Sequence, residues 1–396
     1  MDCPTMSISA KSKVAVKPLR ILHFIESGGL YGAERVILNL SREMIRDGGL
    51  VPVIGCIVGS ESEQSDLYDA AVNEGVEAVK LVIPNSRFPL ALPKIAKELK
   101  QLNVALMHSH GYKPSVYGFL LRVLSGIPVI ATCHLWFEMN ETALKTRVMI
   151  ALEKHFYRWF PCVVAVSDDI RRVLISSGVP SSKVEVVENG VSIKALENPG
   201  EGPSLRESLG LKEDDFCVLN AGRLTRQKAQ WTLIEAAALL RQRQLPVKVL
   251  IAGEGKLKES LLELIERLEV QDCVSLLGFR QDIPELLAIS NVFALPSLDE
   301  GMPMILLEST ARGVPAITTA VGDVPKLITQ GESGLIVPKE DPESLANAIE
   351  KLLKDHPLRL RLPENARLNM QARYSSEAMH KKYNKIYQNL LQGGPA

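Results

Sequence analysis

Short apolar runs alternate along the chain with longer stretches in which apolar residues recur every three or four positions. "LRILHFIE", "VPVIGCIV", "VALMHSH", "IPVIATCH" and "CVVAVS" are rich in β-branched residues and read as strands. "AERVILNLSREMIRDGG" puts Val36, Ile37, Leu40, Met44 and Ile45 on one helical face, and Gly48-Gly49 supplies the stop. Strands that alternate with amphipathic helices imply a parallel sheet covered by helices on both sides.

The rhythm breaks at "ALENPGEGPSLRESLG", where Pro, Gly and Ser gather. It resumes with "FCVLNAG", "PVKVLIAG", "CVSLLG", "NVFALP", "PAITTA" and "GLIVP". The pattern predicts an α/β protein with two doubly wound domains. A basic flexible tail at 1–17 leads into a first domain at 18–195, and a linker follows at 196–212. The second domain runs over 213–372, and a helix at 373–396 packs back on the first. That helix carries a stripe of Met379, Tyr383, Ile386, Tyr387 and Leu390.

Composition narrows this picture. A chain of 396 residues exceeds what one core usually serves. Its 46 basic and 46 acidic residues cancel, which argues against a nucleic-acid partner held by bulk charge. The six Cys are scattered without a CxxC, as in reduced core residues of a cytosolic protein. The N-terminus has no apolar core of signal-peptide type, and Arg122, Gly126, Pro128 and His134 interrupt the most apolar later stretch. A cytoplasmic protein without a membrane span is expected. In "ALKTRVMIALEKHFYRWF", Arg147, Lys154 and Arg158 fall on one helical side and Leu144, Val148, Leu152, Phe156 and Trp159 on another. Both an anionic membrane surface and an ordinary core stripe under a solvated face fit that pattern.

Four constellations carry candidate chemistry. In "SLDEGMPMILLEST", seven residues separate Glu300 from Glu308. Pro303 suits the first turn of a helix that runs through Met304 and Leu307 to a Gly313 cap. The helix follows a strand, so it starts at the carboxyl edge of a parallel sheet, where open α/β sheets bind ligands. Free N–H groups around Gly301 and Met302 attract phosphate there, Glu300 can accept from sugar hydroxyls, and Glu308 from a ribose diol. Taken alone, these acids equally fit a helix-dipole complement and a solvated helix face. In "NAGRLTRQK", Arg223 and Lys228 follow a strand end and suit a diphosphate, whereas Arg226 reads as a solvated loop cation.

In "IESGGLYGAER", Gly28 and Gly29 join strand to helix and let backbone approach a ligand. The incomplete glycine fingerprint disfavours a nicotinamide site. His108, His110 and His134 end neighbouring strands. Zinc is the weaker reading for them, because no carboxylate or Cys stands at ligand spacing. His134 is the better sugar contact, and His108 reads as a packed strand residue. No Asp-x-Asp pair occurs, so protein cations and helix dipoles would have to neutralise a diphosphate without metal.

Together these residues resemble the retaining glycosyltransferases of family 4, whose GT-B fold has two Rossmann-like doubly wound domains facing a cleft. The similarity runs from "ILHFIESGGLYGAERV" to the final helix. "EGMPMILLE" is similar to the family's E-x7-E motif, "GRLTRQK" to its Gly-Arg-(x)-Lys phosphate loop, and "ATCH" to the strand ending in a donor-side His. "AVSDDIRRVLISSGVPSSKVEVVENGVS" resembles the segment that closes the first domain, with Glu188 where the family usually has Pro. The final helix has Ser376 where the family often has Trp.

The resemblance implies a hexosyltransferase of surface polysaccharide biosynthesis that uses a UDP- or GDP-sugar and a saccharide or lipid-linked acceptor, with no metal or cofactor needed. It implies that Arg223 and Lys228 hold the diphosphate, and that Glu300, with N–H groups of Gly301 and Met302 beside Pro303, binds the donor sugar. It places Glu308 at the ribose, His134 near the transferred sugar, Gly28 and Gly29 on the opposite wall and Arg280 near the base. Competing expectations are an epimerase of the same fold, a non-catalytic sugar-nucleotide binder and an NAD-dependent dehydrogenase.

Overall fold

Two wholly parallel sheets organise the chain in a computed structural model that describes residues 18–84, 88–134, 144–192 and 202–393. The first holds β1 (Arg20–Ile25), β2 (Val51–Val58), β3 (Glu77–Val82), β4 (Val104–His110), β5 (Val129–Cys133), β6 (Val163–Ala165) and β7 (Val184–Val186), in the order β3-β2-β1-β4-β5-β6-β7. The second holds β8 (Phe216–Ala221), β9 (Val247–Ala252), β10 (Val274–Gly278), β11 (Val292–Leu295), β12 (Ala316–Thr319) and β13 (Leu335–Val337), ordered β10-β9-β8-β11-β12-β13. Both sheets double back at their first strand. Each therefore has a switch point, where β1 adjoins β4 and β8 adjoins β11, and ligands bind outside the carboxyl ends of such strands.

The apolar runs became strands because both sheet faces are covered: β8 is buried at every position and β1 at all but its first. β3 and β7 went unseen in the pattern. They are sheet edges, only partly buried, and Lys80 and Glu185 break their apolar character. The helix Gly32–Asp47 ends at Gly48 in the left-handed conformation, with φ 71°. Val36, Ile37, Leu40 and Met44 are buried on it, but Ile45 is 47% exposed. The buried face turns instead through Glu43, because the last helix covers that side.

The tail at 1–17 lies outside the described residues. Part of the expected linker is a helix, Gly202–Ser208. Arg206 ties it to the second domain by donating to the carbonyls of Ile289, Lys212 and Asp215. Among the described residues, Cys56, Cys133, Cys162, Cys217 and Cys273 are free thiols, and no helix is long and apolar enough to cross a membrane.

After the helix His356–Arg373, the chain returns to the first domain. Val191 N–H donates to Tyr374 O at 2.9 Å and Ser376 N–H to Val191 O at 2.9 Å, which staples the return. A Cβ at Gly190 would sit 2.5 Å from the Ser375 carbonyl oxygen, so no larger residue fits that crossing unchanged. The last helix, Ser376–Leu391, buries Met379, Tyr383, Ile386 and Tyr387, while Leu390 is half-buried. Ser376 donates to Glu43 at 2.9 Å, so a buried hydroxyl makes the contact there.

Glu188, the other departure, is a buried carboxylate that takes Arg373 at 2.7 Å and also Lys382. Burial alone would raise its carboxyl, but hydrogen bonds from Lys382 and Arg373 outweigh that and hold the pKa below its ordinary value. A carboxyl lowered by folding adds stability above its unfolded pKa, and the stability is lost as pH falls through the folded value. Glu188→Gln should therefore cost about 1–2 kcal/mol at neutral pH. Thermal unfolding should show the difference from the parent shrinking as pH drops below 4.5.

Candidate active site

The second-domain wall is built from loops that leave the carboxyl ends of β8, β9, β11 and β12. Their backbones lie in contact. A Cβ at Gly253 would fall 1.9 Å from Gly222 O, and one at Gly255 2.3 Å from Leu224 O. Gly322, at φ 48°, lies under the loop after β11, where a Cβ would fall 1.9 Å from Glu300 O. Asp323 N–H donates to Gly301 O at 2.9 Å, and Thr319 Oγ1 donates to Ser297 O at 2.5 Å. The loops after β8 and β11 are also laced together, with Leu298 N–H on Gln227 O at 2.8 Å and Gln227 Nε2 on Asp299 O at 2.9 Å.

This frame positions the predicted charges. Lys228 closes a short 3-10 turn, Arg226–Lys228, and Ala229 follows in the left-handed region with φ 47°. Lys228 Nζ donates to Glu300 Oε1 at 2.5 Å, and Ser297 Oγ donates to the same oxygen at 2.8 Å. Both partners of the ion pair are nearly buried. Gln230 Nε2 holds the Arg223 carbonyl at 3.0 Å. The next helix is Met304–Arg312, with Pro303 one place earlier than expected, at the N-cap, and Gly313 as a left-handed C-cap at φ 79°. Met304 and Ile305, whose N–H groups open the helix without intrahelical partners, line the same space as Gly301 and Met302.

Glu308 lies just over one turn into that helix and is buried. Its Oε1 accepts from Arg35 Nη1 at 3.2 Å, across from the first domain. Burial raises the Glu308 carboxyl, and the Arg35 charge and hydrogen bond pull it back. Arg280 also reaches the cleft, where Asp282 accepts from its Nε at 2.8 Å.

On the facing wall, Gly28 borders open space. Gly29 lies beside it, and a Cβ there would meet the Tyr31 ring at 3.0 Å. His134 directly follows β5 and also lines the cleft. The close histidine triple is His23, His108 and His110, with ring nitrogens within 4.8 Å of one another, rather than the group with His134 that sequence suggested. His110 bridges the two sets, at 3.2 Å from His23 Nδ1 and 3.2 Å from His134 Nε2. His108 is indeed packed, held by Tyr387 at 2.7 Å and Thr132 at 2.7 Å. Desolvation lowers His23 to about 3 and His134 to about 4. Burial, with neighbouring imidazoles, holds His108 and His110 well below the ordinary value too, so all four are neutral near pH 7.

Arg223, Lys228, Glu300, His134, Gly28, Gly29, Gly301, Met302, Pro303, Glu308 and Arg280 thus line one interdomain cavity of about 1090 Å³. Arg35 and His23 were missed by sequence reasoning. Arg35 lies inside "LYGAER", close to Gly29, but nothing local marks its partner.

Residues 31–195 match the family model described as Glycosyltransferase Family 4, and 202–369 match that of Glycosyl transferases group 1. The chain is 29% identical to the alpha-D-kanosaminyltransferase of Streptomyces kanamyceticus, over 74% of this chain and 80% of that protein. It is 28% identical to the Escherichia coli UDP-Gal:alpha-D-GlcNAc-diphosphoundecaprenol alpha-1,3-galactosyltransferase, over 68% and 72%. In fold it is similar to Anabaena HepE, solved in complex with UDP and glucose, with a TM-score of 0.80, 22% identity, and coverage of 94% of this chain and 100% of that one.

The glycine contacts yield a direct test. Gly322→Ala combines left-handed strain with a backbone clash under Glu300 and should lower stability by about 3 kcal/mol. Chemical denaturation would read this as a lower midpoint at unchanged slope.

Proposed function

This chain belongs to glycosyltransferase family 4 and has the GT-B fold, and we propose that it is a retaining, metal-independent hexosyltransferase. Its donor is a UDP- or GDP-sugar, and its acceptor is a glycan or lipid-linked saccharide of a surface polysaccharide pathway. The observation that carries this reading is the cavity itself, where cations, a helix start and two carboxylates of one domain face His134 of the other. The UDP-bound fold neighbour and the relative acting on a diphosphoundecaprenol-linked sugar support the donor and acceptor classes.

In this mechanism Arg223, Lys228 and the N–H groups before Met304 hold the diphosphate. They stabilise it most as the bond to the sugar breaks and negative charge grows on the leaving oxygen. Glu300 and His134 orient the sugar, and Glu308 fixes the ribose. The acceptor oxygen attacks the oxocarbenium-like carbon from the face that the diphosphate leaves, which gives retention. The departing phosphate takes the acceptor proton, so no dedicated base is needed. Protein cations supply the neutralisation that a metal would otherwise give.

An anionic membrane surface belongs to the same reading. Val148, Leu152 and Trp159 are exposed on and just after the helix Leu144–Tyr157, beside exposed Arg158. Phe156 instead stacks on Phe119 at 4.2 Å. Leu144 and Arg147 have side chains outside the described residues. Vesicles rich in anionic lipid should float the protein and neutral vesicles should not; equal flotation with both removes the electrostatic part.

Lys228→Ala and Arg223→Ala should each lower turnover by roughly two to three orders of magnitude with the fold intact. Turnover in the parent should be unaffected by EDTA. Wild-type rates in either variant, or loss with EDTA and recovery with magnesium or manganese, would overturn the mechanism.

A further inference from the structure

We infer that Arg35 is a positioning residue for Glu308, so that the nucleotide-binding carboxylate is fully oriented only when the two domains close on each other. The inference rests on the reading of Glu308 as the ribose ligand. Arg35 lies in the first turn of Gly32–Asp47, in the first domain, whereas Glu308 lies on Met304–Arg312, in the second. Their N–O distance is 3.2 Å. The helices abut there, since a Cβ at Gly32 would sit 3.5 Å from Met304 Cγ. Among the described residues, Arg35 is the one hydrogen-bond donor to Glu308, and it occupies Oε1.

A buried carboxylate with a single partner is poorly held without it. Arg35 supplies the opposing charge and fixes the side chain, leaving Oε2 for a diol. A nucleotide seated on the second domain therefore gains from the arrival of the first, and by linkage it favours closure in turn. A second ion pair crosses between the domains, Lys326 to Asp168 at 2.7 Å, but neither partner touches Glu308. It serves as a control for mere domain adhesion.

Calorimetric titration of the full-length chain with UDP, and separately with GDP, tests this. For whichever diphosphate the parent binds, Arg35→Met should raise Kd about tenfold, a normal size for coupling between sites. Arg35→Lys, which keeps the charge, should recover most of the affinity, and Asp168→Asn should leave Kd within about twofold. Unfolding midpoints of all three variants, measured alongside, show whether each is folded. An unchanged Kd in Arg35→Met overturns the inference, and so does an equal loss in Asp168→Asn. If the parent binds but Glu308→Gln binds as tightly, the ribose role of Glu308 fails on its own. If the parent binds neither diphosphate, the nucleotide reading of the cleft falls.

Discussion

The ion pair between Lys228 and Glu300 is what the architecture around it holds in place. Two opposite charges taken out of water repay their desolvation only at good geometry and with further hydrogen bonds. At 2.5 Å, with Ser297 on the same oxygen, the pair meets that condition. It does so because four loops are held in backbone contact, with glycine wherever a side chain would separate them. The outcome is an array of charge that is set before a ligand arrives. A diphosphate can draw on Lys228 without waiting for the site to rearrange, which is the condition under which fixed dipoles and charges lower a barrier most.

The facing wall has another character. Four histidines on neighbouring strands are neutral, three of them buried and His134 half-buried, linked ring to ring or to tyrosine and threonine hydroxyls. Such a stack gives His134 a fixed orientation but no positive charge. Arg223, Lys228 and Arg280 thus line the cleft from one domain, and the neutral His110 and His134 line it from the other, beside Arg35.

What could be read in the sequence was what is local. The strand runs and the second-domain motifs stand out because Arg223, Lys228 and Glu300 each follow a strand by a few residues, and a strand end in a parallel sheet is already a ligand site. The contacts that escaped are those between distant segments. Arg35 and Glu308 meet only because of the angle between domains. His23 joins His110 only through strand order. Glu188 stood out only as a departure from the family pattern, and its two cations stand far along the chain, on the returning helices. Ile45 was misplaced for a related reason, since periodicity gives a stripe but not which neighbour covers its edge.

The return of the last helix also has a bearing on biogenesis. Tyr383 and Tyr387 complete the packing around Thr132 and His108 of the first sheet. A ribosome delivers the first domain early and these two rings only after the second domain. Until then the patch around Thr132 and His108 lacks that cover, and its exposure to aggregation spans the synthesis of the entire second domain.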